Sequence, residues 1–110
     1  ETVVFQGTNA NDVSARAHLV LPSAAYVETE GTFTNFQGRV QRFRTAIPPL
    51  GESWPDWKIL SVVGKALGAS DPVFSAERAE QVFNALAAAV PAFGGMTYRA
   101  LGDTGRMATA

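Results

Sequence analysis

Residues 2–22 read Thr2-Val3-Val4-Phe5-Gln6-Gly7-Thr8-Asn9-Ala10-Asn11-Asp12-Val13-Ser14-Ala15-Arg16-Ala17-His18-Leu19-Val20-Leu21-Pro22. β-Branched and aromatic side chains crowd the first end, Thr2 to Phe5, and Gly7 closes it. That composition predicts a short buried strand. At the other end His18-Leu19-Val20-Leu21 predicts a second buried strand, stopped by Pro22. Between them Asn9 is a candidate N-cap, Asp12 stands three residues on, and Ala10, Val13 and Ala17 fall at near-helical spacing. A short helix is therefore expected over Asn9 to Ala17. Strand, helix, strand is the order of a βαβ unit, compressed here, and it sets the fold class as α/β.

Downstream, Ser23 to Thr29 is open between a helical turn and an extended arm. Gly31 and Gly38 then bracket Thr32-Phe33-Thr34-Asn35-Phe36, and Arg39-Val40-Gln41-Arg42-Phe43-Arg44 follows. Both runs suit extended chain, with a turn over Asn35 to Gly38. Ile47-Pro48-Pro49-Leu50-Gly51 is a rigid, non-helical connection. Ser53 with Asp56 reads as a capping box, with Pro55 in the first turn, so a helix is expected from there to Gly68. Trp57, Leu60, Val63, Ala66 and Leu67 would form its apolar face. Ser75 is a candidate cap for a second helix whose apolar face is Ala79, Val82, Phe83, Leu86 and Val90, ended by Pro91 and Gly94-Gly95. The organisation is thus a βαβ-like unit plus extended arm over 1–50, two helices over 51–95 and a loosely held tail over 96–110, all parts of one partial domain.

The chain has 110 residues, room for one ordinary domain. Charged residues are 17% of it, below the roughly 25% of a typical soluble domain. That deficit suggests a surface partly covered by other protein. A net charge of −1 gives no general attraction to nucleic acid or to an anionic membrane. The absence of cysteine excludes a disulfide framework, a thiolate nucleophile and cysteine-ligated zinc or iron–sulfur sites within these residues. No apolar run reaches the roughly 18–20 residues of a membrane span, so direct membrane insertion is not expected. The chain opens on Glu1, almost directly into a strand-like segment, which suggests a segment of a longer chain or a processed product.

Few residues qualify for chemistry. His18, the only histidine, sits where a strand enters a core, so a structural role outweighs that of a triad base. Glu28 and Glu30, two apart on extended chain, could share a proton, although a solvated loop is the simpler reading. Arg39, Arg42 and Arg44 interleave with Phe36 and Phe43, which suits phosphate or a stacked base. Pairing with carboxylates of neighbouring segments suits them equally. No glycine spacing matches a phosphate-binding loop. Trp54 and Trp57 read as packing anchors.

The stretch Arg16 to Arg44 carries a family resemblance. An apolar strand ending in Leu21-Pro22 is followed by Glu28, Gly31-Thr32, Asn35, Gly38-Arg39 and Gln41, in the pattern E-x-x-G-T-x-x-N-x-x-G-R-x-Q. This resembles the molybdopterin oxidoreductase superfamily. Within it, His18 after Arg16-Ala17, and Gly38-Arg39 in place of a pair of arginines, are most similar to the G-type subunits of bacterial NADH-quinone oxidoreductase, respiratory complex I. Pro55-Asp56-Trp57-Lys58-Ile59-Leu60 and Val90-Pro91-Ala92-Phe93 extend the similarity over most of the chain.

The resemblance implies a fragment from the C-terminal half of the molybdopterin-type region. It would be a non-catalytic scaffold, holding no cofactor of its own, in an assembly passing electrons from NADH to quinone. The rest of its subunit and the other peripheral-arm subunits would be its partners, at the inner, cytoplasmic face of the plasma membrane. Iron–sulfur clusters would lie in the parent chain. There Gly31 would permit a turn, Asn35 would bond backbone groups and Arg39 would pair a carboxylate. The alternative implied is a formate-dehydrogenase-like enzyme. In it Gly31, Thr32 and Asn35 would contact a molybdopterin guanine dinucleotide and Arg39 its phosphate. A third reading, a free-standing interaction module, predicts cooperative unfolding of the isolated residues.

Overall fold

The computed structural model describes residues 1–109. Strand β1 (Val4–Gly7) lies parallel to β2 (Leu19–Pro22), in register from Val4 opposite Leu19 to Gly7 opposite Pro22. The two strands and their parallel sense are those expected of a βαβ unit, but the expected burial is not found: Val4, Leu19 and Val20 are exposed, because no helix covers this two-stranded pair in the crossover. The crossover differs: a single 3₁₀ turn, Ser14–Arg16, replaces the helix expected over Asn9 to Ala17. Asn11, not Asn9, organises it. Its Oδ1 accepts the N–H groups of Val13 at 2.9 Å and Ser14 at 3.0 Å, while the Ser14 hydroxyl donates to the Asn11 carbonyl at 2.8 Å. Short polar side chains have captured the backbone groups that a helix would have used. His18 has a structural place, its Nδ1 accepting the Val3 N–H at 3.0 Å beside the ladder. Trp54 extends the sheet beyond β2: its N–H donates to Pro22 at 3.1 Å and its carbonyl accepts from Ala24 at 2.8 Å.

The glycine-bracketed stretch forms a hairpin. β3 (Gly31–Thr34) and β4 (Arg39–Phe43) pair antiparallel, from Gly31 opposite Phe43 to Thr34 opposite Val40. Helix α1 spans Asp56–Ala66, later than Ser53 suggests, because the Ser53 hydroxyl donates back to the Leu50 carbonyl at 2.7 Å. Its buried face also differs. Ile59 and Ser61 are buried, whereas Leu60 and Leu67, expected inside, are exposed, Leu67 to 82%. Helix α2 (Ala79–Ala89) begins beyond the 3₁₀ turn Pro72–Ser75 that takes up Ser75. Gln81 supplies the missing acceptor at its start: its Oε1 takes the N–H groups of Glu77 at 2.7 Å and Arg78 at 3.0 Å.

Residues 96–109 are not a loose tail. Met96, Tyr98 and Leu101 are buried, the last two on the short helix α3 (Tyr98–Leu101). They join Val40 and Phe83 in the hydrophobic core, with Phe93 and Ala108 packed against it. Strand β5 (Arg106–Met107) then adds to the hairpin, Arg39 opposite Met107 and Val40 opposite Arg106. Gly105 permits that approach: it has φ +75°, and any side chain there would meet the Val40 carbonyl. The result is a mixed α/β fold in which a three-stranded sheet and α2 enclose the core, beside the two-stranded β1–β2 pair. No helix among the described residues is long and apolar enough to cross a membrane.

Candidate functional site

The four candidate positions lie on the β3–β4 hairpin, at two ends. At a strand rise of roughly 3.3 Å per residue, Gly31 and Asn35 are about 13 Å apart, so they do not meet at one point. Asn35 and Arg39 come together at the tip. The Asn35 Oδ1 accepts the N–H of Gln37 at 3.0 Å and of Arg39 at 2.9 Å, and its own N–H donates to the Arg39 carbonyl at 3.0 Å. Gly38, at φ +81°, completes the turn by donating to the Asn35 carbonyl at 2.9 Å. Asn35 therefore bonds backbone groups, as the scaffold expectation has it. Asn35→Ala leaves two donors without their acceptor. It is expected to cost about 1–2 kcal/mol in urea unfolding, with Asn35→Asp recovering most of it.

Arg39 departs from the scaffold expectation. It pairs no carboxylate; its Nη1 donates to the Thr104 carbonyl at 3.3 Å, and among the described residues the one ion pair is Arg42–Glu30. Arg39 is half-buried at the turn and has no carboxylate within ion-pair distance among the described residues.

Gly31 opens β3 and makes no turn. A Cβ there would touch the Phe43 ring at 3.2 Å, a ring already stacked on Phe33 with centroids 4.5 Å apart. Thr32 lies opposite Arg42. Beside them the Arg42 Nη2 donates to Glu30 Oε2 at 3.1 Å, and its guanidinium sits 4.3 Å above the Tyr98 ring. Both partners of that pair are part-exposed, so it contributes at most about 1 kcal/mol. Burial, then Glu30, pushes the Tyr98 hydroxyl above its ordinary pKa, with Arg42 opposing. Glu28 and Glu30 do not share a proton: Glu28 Oε2 accepts the Ala25 N–H at 2.8 Å, while Glu30 holds Arg42. Of the two expected packing anchors, Trp57 is part-buried while Trp54 is exposed, with the Lys58 ammonium 4.3 Å over its ring.

These surroundings decide what could be held. A cavity of about 430 Å³ beside Gly31 and Thr32 is bordered by Glu30 and Asp56 and by no lysine or arginine. With Glu30 already paired to Arg42, the cavity offers a diphosphate the Asp56 carboxylate and no lining cation, so the Gly31–Thr32 end does not fit an anionic dinucleotide. The tip does fit an anionic group, because it combines the Arg39 guanidinium, without a carboxylate partner among the described residues, with a turn held by Asn35. The Glu30–Arg42–Tyr98 cluster escaped the sequence reading because Tyr98 lay in the segment read as a tail.

Residues 2–66, which include the hairpin, match the family described as Molybdopterin oxidoreductase. The chain belongs to that family. It is 35% identical over 102 residues, 93% of the chain, to the F420-dependent formate dehydrogenase 2 subunit alpha of Methanococcus maripaludis. To the F420-dependent formate dehydrogenase 1 subunit alpha of the same organism it is 32% identical over 105 residues, 96% of the chain. To the F420-dependent formate dehydrogenase subunit alpha of Methanocaldococcus jannaschii it is 36% identical over 99 residues, 90% of the chain. The chain spans about 15% of the length of each of these relatives. The finer expectation of a complex I G-type subunit gains no support from them.

Proposed function

We propose that the chain is a segment of a molybdopterin-dependent oxidoreductase of the formate dehydrogenase type. In it the Asn35–Arg39 turn faces an anionic part of the pterin dinucleotide, and the remainder is scaffold. The similarity to formate dehydrogenase alpha subunits over nine-tenths or more of the chain carries this reading. The Arg39 guanidinium, which has no carboxylate partner among the described residues, supports the contact. When bound, the pterin-held metal supplies the two-electron redox chemistry. The residues of this chain hold and orient: Asn35 fixes the turn and Arg39 presents its guanidinium. Gly31 and Thr32 serve packing and strand pairing. Iron–sulfur clusters, where the parent has them, take their cysteines from elsewhere, since this chain has none.

Metal and pterin analysis of the purified full-length protein tests the reading. Stoichiometric molybdenum or tungsten with pterin is expected in the wild type. Arg39→Ala should cut pterin retention about tenfold or more, the weight of a lost charge-assisted hydrogen bond, with Arg39→Lys intermediate. Unchanged retention in a folded Arg39→Ala protein removes Arg39 from the site. The second reading, a complex I G-type scaffold partnered by peripheral-arm subunits at the inner membrane face, rests on His18 and Gly38-Arg39. A parent without metal or pterin that still supports NADH-to-quinone transfer would establish it in place of the first.

A further inference from the structure

The cavity of about 430 Å³ beside Gly31 and Thr32 is lined by four aromatic side chains, Tyr26, Phe33, Phe43 and Trp57. Side chains alternate along a strand, so Phe33 and Phe43 stand on the face of the hairpin opposite Val40 and Arg42. Their rings stack with centroids 4.5 Å apart, which leaves each with one face turned away from the other. Phe33 is 58% exposed and Tyr26 72%, so solvent, and a solute, reach both rings. The volume lies within the range of small-ligand sites.

The charge around the cavity favours a cation. Glu30 is paired to Arg42, whose guanidinium lies on the Tyr98 ring. Asp56 is not paired in this way. Its Oδ1 accepts the neutral Gln6 amide at 2.7 Å, and no cationic side chain is within ion-pair distance of it among the described residues. No lysine or arginine lines the cavity. The N-terminus of α1 contributes about half a positive charge, less than the full negative charge of Asp56. Aromatic faces attract cations through the ring quadrupole. A quaternary ammonium suits such walls best, because it has no N–H groups that need acceptors, whereas a primary ammonium has three. An anion would meet Asp56, and a neutral molecule gains nothing from it.

We propose that this cavity binds a small quaternary-ammonium compound, its methylated head among the aromatic rings and Asp56 its counter-charge. The site is separate from the anion contact at the hairpin tip. Titration of the full-length protein with choline, followed by saturation-transfer NMR of the ligand's methyl protons, tests it against 3,3-dimethylbutan-1-ol, which has the same shape and no charge. Saturable binding of choline is expected, about tenfold tighter than that of the neutral isostere. Phe33→Leu keeps an apolar side chain and removes a ring face, so it should weaken choline about three- to tenfold and the isostere much less. Asp56→Asn keeps an acceptor for Gln6 and should weaken choline by a similar factor. Thermal melts establish that the variants fold; should one fail, the ratio of the two probes on wild type and the other variant carry the test. No saturable binding of choline to wild type, as when the remainder of the parent chain fills the cavity, overturns the proposal. Equal affinities for choline and its isostere, or choline binding unchanged in either folded variant, overturn it as well.

Discussion

Phe83→Ala is expected to lower the free energy of unfolding by about 3–5 kcal/mol. Phe83 lies on α2, is 4% exposed and packs on the Tyr98 ring with centroids 5.6 Å apart. It belongs to the same core as Val40, Met96 and Leu101, so its removal touches both the hairpin and the C-terminal segment. Truncation loses the transfer free energy of the ring and leaves a space its neighbours close only in part. Urea unfolding should show a lower midpoint with an unchanged slope. A loss below about 1 kcal/mol would mean that α2 does not cover the hairpin in solution.

Gly105→Ala should destabilise by about 2–5 kcal/mol through a different mechanism. The position has φ +75°, where an L side chain costs roughly 1–2 kcal/mol. The added methyl would also press on the Val40 carbonyl and the Gln41 side chain. The carbonyl belongs to β4 and has no rotamer with which to yield, so β5 must move away. Gly95→Ala is the control: its φ is +74°, but a Cβ there meets nothing within 4 Å. The difference between the two variants in thermal or urea unfolding isolates the close approach of β5 to β4. Equal losses would show that backbone strain alone accounts for Gly105.

Much of the fold was legible because local chemistry and tertiary structure agree. The Val3-Val4-Phe5 and Leu19-Val20-Leu21 runs became β1 and β2, and the Asn35–Gly38 turn was written in residues that make turns. Helix starts were less legible. Ser53 and Ser75 have the chemistry of caps, yet Ser53 bonds a preceding turn and Ser75 ends a 3₁₀ turn, leaving Gln81 to accept the N–H groups of Glu77 and Arg78 just before α2. The face of α1 was misread because Leu60 and Leu67 follow helical periodicity as well as Ile59 does. Periodicity alone does not choose between two apolar stripes on one helix. The C-terminal segment was misread on composition: its glycines suggest looseness, while Met96, Tyr98 and Leu101 are spaced too irregularly to announce a buried face. At the candidate site, the motif marked the hairpin but could not separate its two ends. That separation is a matter of tertiary placement: Asp56 of α1 and Tyr98 of α3 lie at the Gly31–Thr32 end, while Thr104 and β5 meet the tip.

The position of α3 also bears on how the protein is made. Met96, Tyr98 and Leu101 follow Val40 by more than half the chain and supply much of the core around it. Synthesis proceeds from the N-terminus, so β3 and β4 leave the ribosome with the inner face of Val40 uncovered. They wait in that state until α3 has emerged and the long loop between them has closed, a slow kind of contact to form. During that interval the hairpin presents an unpaired edge where β5 will later sit, a template for pairing with another chain.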